Sequence, residues 1–463
     1  MELNVPMPVR ISRDIGLWAR GLFSEKVRTT QRLENLVRTV GIPTVLGAKS
    51  AKEWVLSLLQ LAAEVEHALM VQYLFAGWSL PKRIIGVDFQ QMFINVAIQE
   101  MGHLATVQNL LLLVGGPTAI HFERDLQRQA SDLNAIPFLL EPATKQCVAK
   151  FVAAEMPLKV PDDLVRLVND LLEMAAGNPA VPLKRVGVIY ELLHYFFSPA
   201  EGEHRIDFNE FAILPEKRHL SAADLHPLAE VTPYLAVVAE GEWQVPGGMH
   251  LLAPESLEGA LVAIETIAAQ GEGLLDHGED SHFEIFIKLA KAYDTESITP
   301  LNIARSPTLG SGGGEQGTEI TDSYTRLWGT VFKIQYNLLL MSLQHGFQIK
   351  RSPEPLKSPG LREKLISIAT SNMDLVCDML GQFMMTLPMS AAGDLFAGPP
   401  FDLIPNLLNQ LDPANGKPTH LGLLDELEKN YLTISASPFF TDDHSNVLRN
   451  LRIADKKHRK LFP

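Results

Sequence analysis

The chain has 463 residues, 46% of them hydrophobic and 20% charged, a composition that excludes intrinsic disorder. A formal net charge of -14 and an isoelectric point near 5.5 argue against nucleic acid as a partner, because phosphate binding calls for clustered Lys and Arg. Two cysteines, Cys147 and Cys377, stand far apart and outside any CxxC spacing, which excludes a disulfide framework and disfavours a zinc-thiolate site.

Residues 1–50 form an N-terminal segment in which SEKVRTTQRLENLVRTV reads as a helix stopped by GIP. MELNVPMPVRISRDIG lacks the basic-then-apolar order of a secretory signal, and no uncharged apolar run of roughly 18 residues follows. The expectation is a cytoplasmic protein with no membrane span. From Ala51 to Leu80 runs a long apolar-periodic stretch closed by Pro81; a second, from about Asp88 to Val114, stops at Gly115-Gly116-Pro117. Their short connection predicts antiparallel neighbours. Shorter helices are predicted around KQCVAKFVAAEM, over 161–176, 183–197 and 256–270, and at SHFEIFIKLAKAY; YLAVVAEGEW is the one predicted strand. SPTLGSGGGEQG, at 306–317, reads as a flexible loop, and two strong helices follow at about 320–347 and 360–387. The expected organisation is all-α: a bundle over 51–300, a Gly-rich loop over 301–320 and a C-terminal helical annex over 321–463, with little strand. The apolar content of WGTVFKIQYNLLLMSL suggests an annex that packs on the bundle and covers a substrate entrance.

Acids and histidines interrupt three of the apolar runs. Glu64, Glu66 and His67 sit in the first, Glu100 and His103 in the second, and Glu191 and His194 in VGVIYELLHYFF. Carboxylates are rarely buried unless paired or bound to metal. Glu100 and His103 are three apart, so they share one helical face and can reach one ion. A Glu-x-x-His pair from two helices with a single Glu from each of two others is the ligand set of carboxylate-bridged dimetal bundles, and Glu66 can supply a single carboxylate. Imidazole with carboxylate suits iron or manganese, with zinc also open. The bland alternatives are a solvated face or an internal polar network, and for His67 a supporting role.

These residues resemble a known family. LLQLAAEVEHALMVQYLFAGWSL and IQEMGHLATVQNLLLLVGGPT are similar to the first two helices of the ferritin-like domain of iminophenyl-pyruvate dimer synthases, of the violacein and rebeccamycin pathway type. The similarity continues through PFLLEPAT, AAEMP, VGVIYELL, AAQGEG, SHFEIF and AGPPF, covering roughly residues 50–400. The resemblance implies a ferritin-like four-helix bundle holding two iron ions, with ligands at Glu66, Glu100, His103, Glu191, Glu272 and His282. Glu279 competes with Glu272 as the partner of His282. Tyr73 and Tyr190 are candidate redox or catalytic side chains, and His277, His345 and Met384–Met385 candidate pocket-lining groups.

What the resemblance implies for function is a non-haem di-iron oxidase or oxygenase using dioxygen or peroxide on a small amino-acid-derived or natural-product precursor. An iron-binding scaffold or storage protein without turnover is the second reading, and a degenerate bundle without metal the third. A homodimer is the prior for a large helical enzyme.

Overall fold

The computed structural model describes residues 50–84, 86–124, 138–157, 160–176, 186–199, 219–237, 243, 249–272, 280–310, 317–393 and 395–463. The helices are α1 (Ala51–Ser79), α2 (Phe89–Gly115), α3 (Lys145–Glu155), α4 (Val165–Ala176), α5 (Gly187–Phe197), α6 (Leu257–Glu272), α7 (His282–Thr295), α8 (Ser323–Phe347), α9 (Leu361–Asn372), α10 (Lys417–Ser435) and α11 (Asp442–Arg459), with a few single helical turns between them. Among the described residues the strands are β1 (Pro307–Thr308) and β2 (Thr318–Glu319), a short parallel pair flanking the Gly-rich loop. The all-α expectation holds. The strand predicted in YLAVVAEGEW does not form where it is described: Thr232–Tyr234 is a 3₁₀ turn, residues 235–237 are irregular, and 238–242 lie outside the described residues.

Local signals set the helix ends. The Ser50 side chain accepts from Glu53 N–H and the Asp88 side chain from Gln91 N–H, capping α1 and α2. Gly116, at φ 77°, ends α2 where the Gly-Gly-Pro signal predicted. Ser281 and Glu284 close a reciprocal capping box that makes His282 the first residue of α7.

The bundle is built on α1 packed along α2, with α5 and α6 paired beside them and α7 joining α2, α3 and α6. Among the described residues α1 is the one helix long and apolar enough to cross a membrane, yet 67% of its most apolar window is buried inside the protein. Val55, Leu58, Leu59, Ala62, Val71 and Phe75 are the reason: they are core residues, removed from water by the neighbouring helices.

The C-terminal helices share that core. Trp78 of α1 stacks on Phe401 and donates its indole N–H to Asp378, in the π-helical stretch Met373–Leu380 that continues α9. Gly381 follows, and a Cβ there would lie 2.8 Å from the Trp78 ring, so only glycine admits so close an approach. The buried Arg362 guanidinium donates to the carbonyls of Gly346, Ile349, Tyr234 and Leu235, tying the end of α8 to the segment between α5 and α6. Deeper in the annex three buried histidines form a chain. His345 Nε2–H donates to the Pro413 carbonyl at 3.1 Å, which leaves its Nδ1 to accept from His420 Nε2–H at 3.0 Å. His420 Nδ1 in turn accepts from His458 Nε2–H at 3.0 Å, and His458 Nδ1 ends the chain with no hydrogen-bond partner. One carbonyl thus dictates three tautomers. His345 therefore belongs to the annex core, as do the buried Met384 and Met385; His277 lies outside the described residues.

Candidate metal centre

Six helices deliver polar groups to one buried point. Glu66 comes from α1, Glu100 and His103 from α2, Glu155 from the last residue of α3, Tyr190 from α5, Gln270 from α6 and His282 from the first residue of α7. Glu66, Glu100, His103, Glu155 and His282 are each at most 3% exposed. Their ligand atoms fall into two groups, Glu66–Glu100–His103 and Glu100–Glu155–His282, each gathered within 4.8 Å. Glu100 is common to both. Its Oε2 lies 2.8 Å from His103 Nδ1 and its Oε1 3.1 Å from His282 Nδ1.

The two halves repeat one design. In the first, Tyr190 donates its phenol proton to Glu66 Oε1 while His103 Nε2 meets Gln270 Oε1 at 2.8 Å. In the second, Tyr73 donates to Glu155 Oε1 at 2.5 Å and His282 Nε2 meets Gln99 Oε1 at 2.9 Å. Each half therefore holds one carboxylate restrained by a tyrosine and one imidazole restrained by a glutamine, with Glu100 between them. Gly271 gives Glu155 its room: a Cβ there would stand 2.8 Å from Glu155 Oε2.

Charge in the cluster is balanced by protons. Burial, reinforced by the nearby Glu100 carboxylate, pushes the Glu66 carboxyl up to about 8. Burial also opposes ionisation of Glu100, but His282 and His103 outweigh it and hold that carboxyl well below the usual range. His103 is raised well above its ordinary value, and His282 up to about 9, because the surrounding carboxylates overcome the burial that would neutralise them. Burial and the same carboxylates raise both Tyr73 and Tyr190, keeping them neutral donors.

The donor set fits divalent cations. Glu66 Oε2, Glu100 Oε1 and His282 Nδ1 are buried with no partner in hydrogen-bonding geometry, although they lie close to one another's neighbours. Buried polar atoms rarely stay unsatisfied, so three around one point ask for a cation that accepts all their lone pairs. Oxygen and imidazole donors with no sulfur suit iron, manganese or zinc. The cavity they line is about 20 Å³, room for one or two water-sized spheres and none for an organic molecule.

Four of the residues singled out as ligands, Glu66, Glu100, His103 and His282, are thus brought together. Glu191 is not: it is half-buried and does not line the cavity, because on α5 it is turned about 100° from Tyr190, which does. The backbone of Glu272 closes α6, while its side chain and the whole of Glu279 lie outside the described residues. Tyr73 and Tyr190 both reach carboxylates of the cluster. His67 faces away from it, donating Nδ1–H to the Phe122 carbonyl and accepting from Tyr336 in the annex. His194 pairs with Glu265 and His121 with Glu64. Among the described residues, no side chain of the annex lines the cavity. Glu155 and the two glutamines are the groups sequence reasoning missed. Glu155 carried a signal, an acid closing an apolar helix just before Met156-Pro157.

Comparison with known proteins follows the same residues. The ferritin-like family matches residues 59–291, a span that contains every group of the centre. The dichlorochromopyrrolate synthase of Lentzea aerocolonigenes is 25% identical over 403 residues, covering 74% of this chain and 35% of that protein. The 2-imino-3-(indol-3-yl)propanoate dimerase of Chromobacterium violaceum is 24% identical over 376 residues, covering 74% of this chain and 33% of that protein. The chain spans about a third of the length of these curated relatives. No solved structure matches it. Given the helical bundle, the matched span and the polar cluster inside that span, the chain belongs to the ferritin-like family.

Proposed function

We propose that the chain is a non-haem di-iron oxidase or oxygenase acting on a small amino-acid-derived, natural-product precursor with dioxygen or peroxide. The observation that carries this reading is the shared carboxylate: Glu100 stands between two half-sites, each completed by one glutamate and one histidine. Glu66 and His103 would hold one ion, Glu155 and His282 the other, and Glu100 both. When bound, a pair of iron ions supplies redox chemistry at dioxygen or peroxide. The protein's own contribution is to fix the ligands and keep water out. Tyr190 and Tyr73 hold Glu66 and Glu155 in place through their phenol protons, and the surrounding Leu69, Val186 and Ile267 wall the centre with apolar surface. Natural-product chemistry comes from the two named relatives, one a synthase of dichlorochromopyrrolate and the other a dimerase of an indolic imino acid.

Elemental analysis of protein purified without added metal tests the centre. About two irons per chain in the parent, lost in Glu100→Ala and reduced to about one in His103→Ala, is the expected result. No metal after anaerobic reconstitution with ferrous iron would sink the reading. The small cavity favours a second one, a metal-holding bundle without turnover, since no organic substrate fits beside the ligands. Iron that is held but consumes no oxygen in the presence of reductant would favour that alternative.

A further inference from the structure

Both imidazoles of the centre are gripped on the side away from the carboxylates, and by the same kind of group. His103 Nε2 lies 2.8 Å from the carbonyl oxygen of Gln270, and His282 Nε2 lies 2.9 Å from that of Gln99. Neither glutamine is adjacent in sequence to the histidine it meets: Gln270 reaches from α6 to α2, and Gln99 from α2 to α7. A carbonyl oxygen only accepts, so each contact requires a proton on Nε2. A neutral imidazole has one N–H, and spending it on the glutamine leaves Nδ1 with a bare lone pair. Those lone pairs face carboxylates: His103 Nδ1 faces Glu100 and Glu66, and His282 Nδ1 faces Glu100 and Glu155. Lone pair against carboxylate is repulsive until a proton or a metal ion sits between them.

We propose that Gln99 and Gln270 are positioning residues that fix His282 and His103 as Nε2–H tautomers and so present Nδ1 of each to a metal ion. The inference rests on the dimetal reading above. It adds that the two anchors are neutral amides. A carboxylate in the same place would draw on the imidazole proton and make the ring a stronger donor; an amide carbonyl orients the ring while leaving it an ordinary neutral ligand. The anchors also couple three helices to the centre, because moving α6 or α7 would turn a ring.

The test uses the full chain, labelled with ¹⁵N-histidine and loaded with zinc alone, which is diamagnetic. Long-range ¹H–¹⁵N correlation spectra should show His103 and His282 bound through Nδ1 with protonated Nε2. Gln270→Leu and Gln99→Leu should each weaken zinc binding by about 10- to 100-fold and expose the corresponding Nε2 proton to rapid solvent exchange. Gln270→Glu and Gln99→Glu, which keep an acceptor, should bind zinc at least as tightly as the parent. Should either Leu variant fail to fold, its Glu counterpart and the parent spectra still decide the question. Coordination through Nε2, or Leu variants within twofold of the parent in zinc affinity, would overturn the anchoring role alone. A parent that takes up no zinc would overturn the dimetal reading and the anchoring role with it.

Discussion

His103 and His282 in the bundle and His345, His420 and His458 in the annex are all at most 2% exposed, yet their surroundings push them in opposite directions. In the bundle, carboxylates face the rings and hold them charged in metal-free protein, with His282 raised to about 9. In the annex the rings face one another and a backbone carbonyl. Burial dominates there: it lowers His458 to about 4, it lowers His420 to about 2 with help from the charges of His458 and His345, and it lowers His345 despite the Pro413 carbonyl and Asp412. Burial by itself therefore says little about what a histidine is for. The partner on the second nitrogen, carboxylate or imidazole, decides whether the ring waits for a cation or serves as a neutral link in a core.

The largest effect that would sharpen this contrast is on metal content. Glu100→Ala should abolish binding of both ions, whereas Glu66→Ala and Glu155→Ala should each remove one; equal losses in all three, by elemental analysis, would break the shared-carboxylate arrangement. Next comes His420→Leu, which strands His345 Nδ1 and His458 Nε2 in the core. It should cost about 2–4 kcal/mol in denaturant unfolding while leaving metal content unchanged. A change in metal content would mean that the two histidine regions are not independent.

The third prediction concerns pH and has opposite signs in the two regions. A lowered histidine contributes stability above its unfolded value of 6.5 and loses it as pH falls through its folded value. The annex should therefore weaken from pH 6.5 downward, by about 3 kcal/mol for His458 alone over the window to pH 4. A raised histidine contributes fully below 6.5 and loses its contribution as pH rises through its folded value, so metal-free protein should also weaken between pH 6.5 and about 9 through His282. Urea midpoints across pH, with and without zinc, check both arms; an alkaline arm that persists unchanged in His282→Gln would refute its assignment. The smallest effect is expected for Tyr190→Phe, about 1 kcal/mol, felt as weaker binding at the Glu66 half-site with the Glu155 half-site unaltered. Equal weakening of both sites in stepwise zinc titration would contradict the two-half design.

Much of this centre was legible because its residues stand out against apolar helices. Glu66, Glu100 and His103 interrupt runs that otherwise read as pure core, and the spacing of the last two already places them on one face. His282 needed the family resemblance, since it begins a helix instead of lying within one, and no Glu-x-x-His spacing on an unbroken helix describes it. Glu191 stands apart from the cavity for a geometric reason: adjacent residues on a helix differ by about 100°, and the turn that brings Tyr190 inward takes Glu191 away from it. Gln99 and Gln270 gave no signal, because a neutral amide in a helix carries no cost that a sequence reader would notice. The annex histidines were illegible as a chain, for Pro413 and His420 meet His345, and His458 meets His420, only through tertiary packing.

The hairpin of α1 and α2 has a consequence for how the centre comes into being. Glu66, Glu100 and His103 lie on two helices joined by a short connection, so their half-site requires closure of only a small loop. The other half waits for the end of α3 and the start of α7, brought together from far along the chain, and such distant closures come later and more slowly. A chain still emerging during synthesis would thus gather the three ligands of one half-site, before Tyr190 and Gln270 arrive to restrain them, long before those of the second.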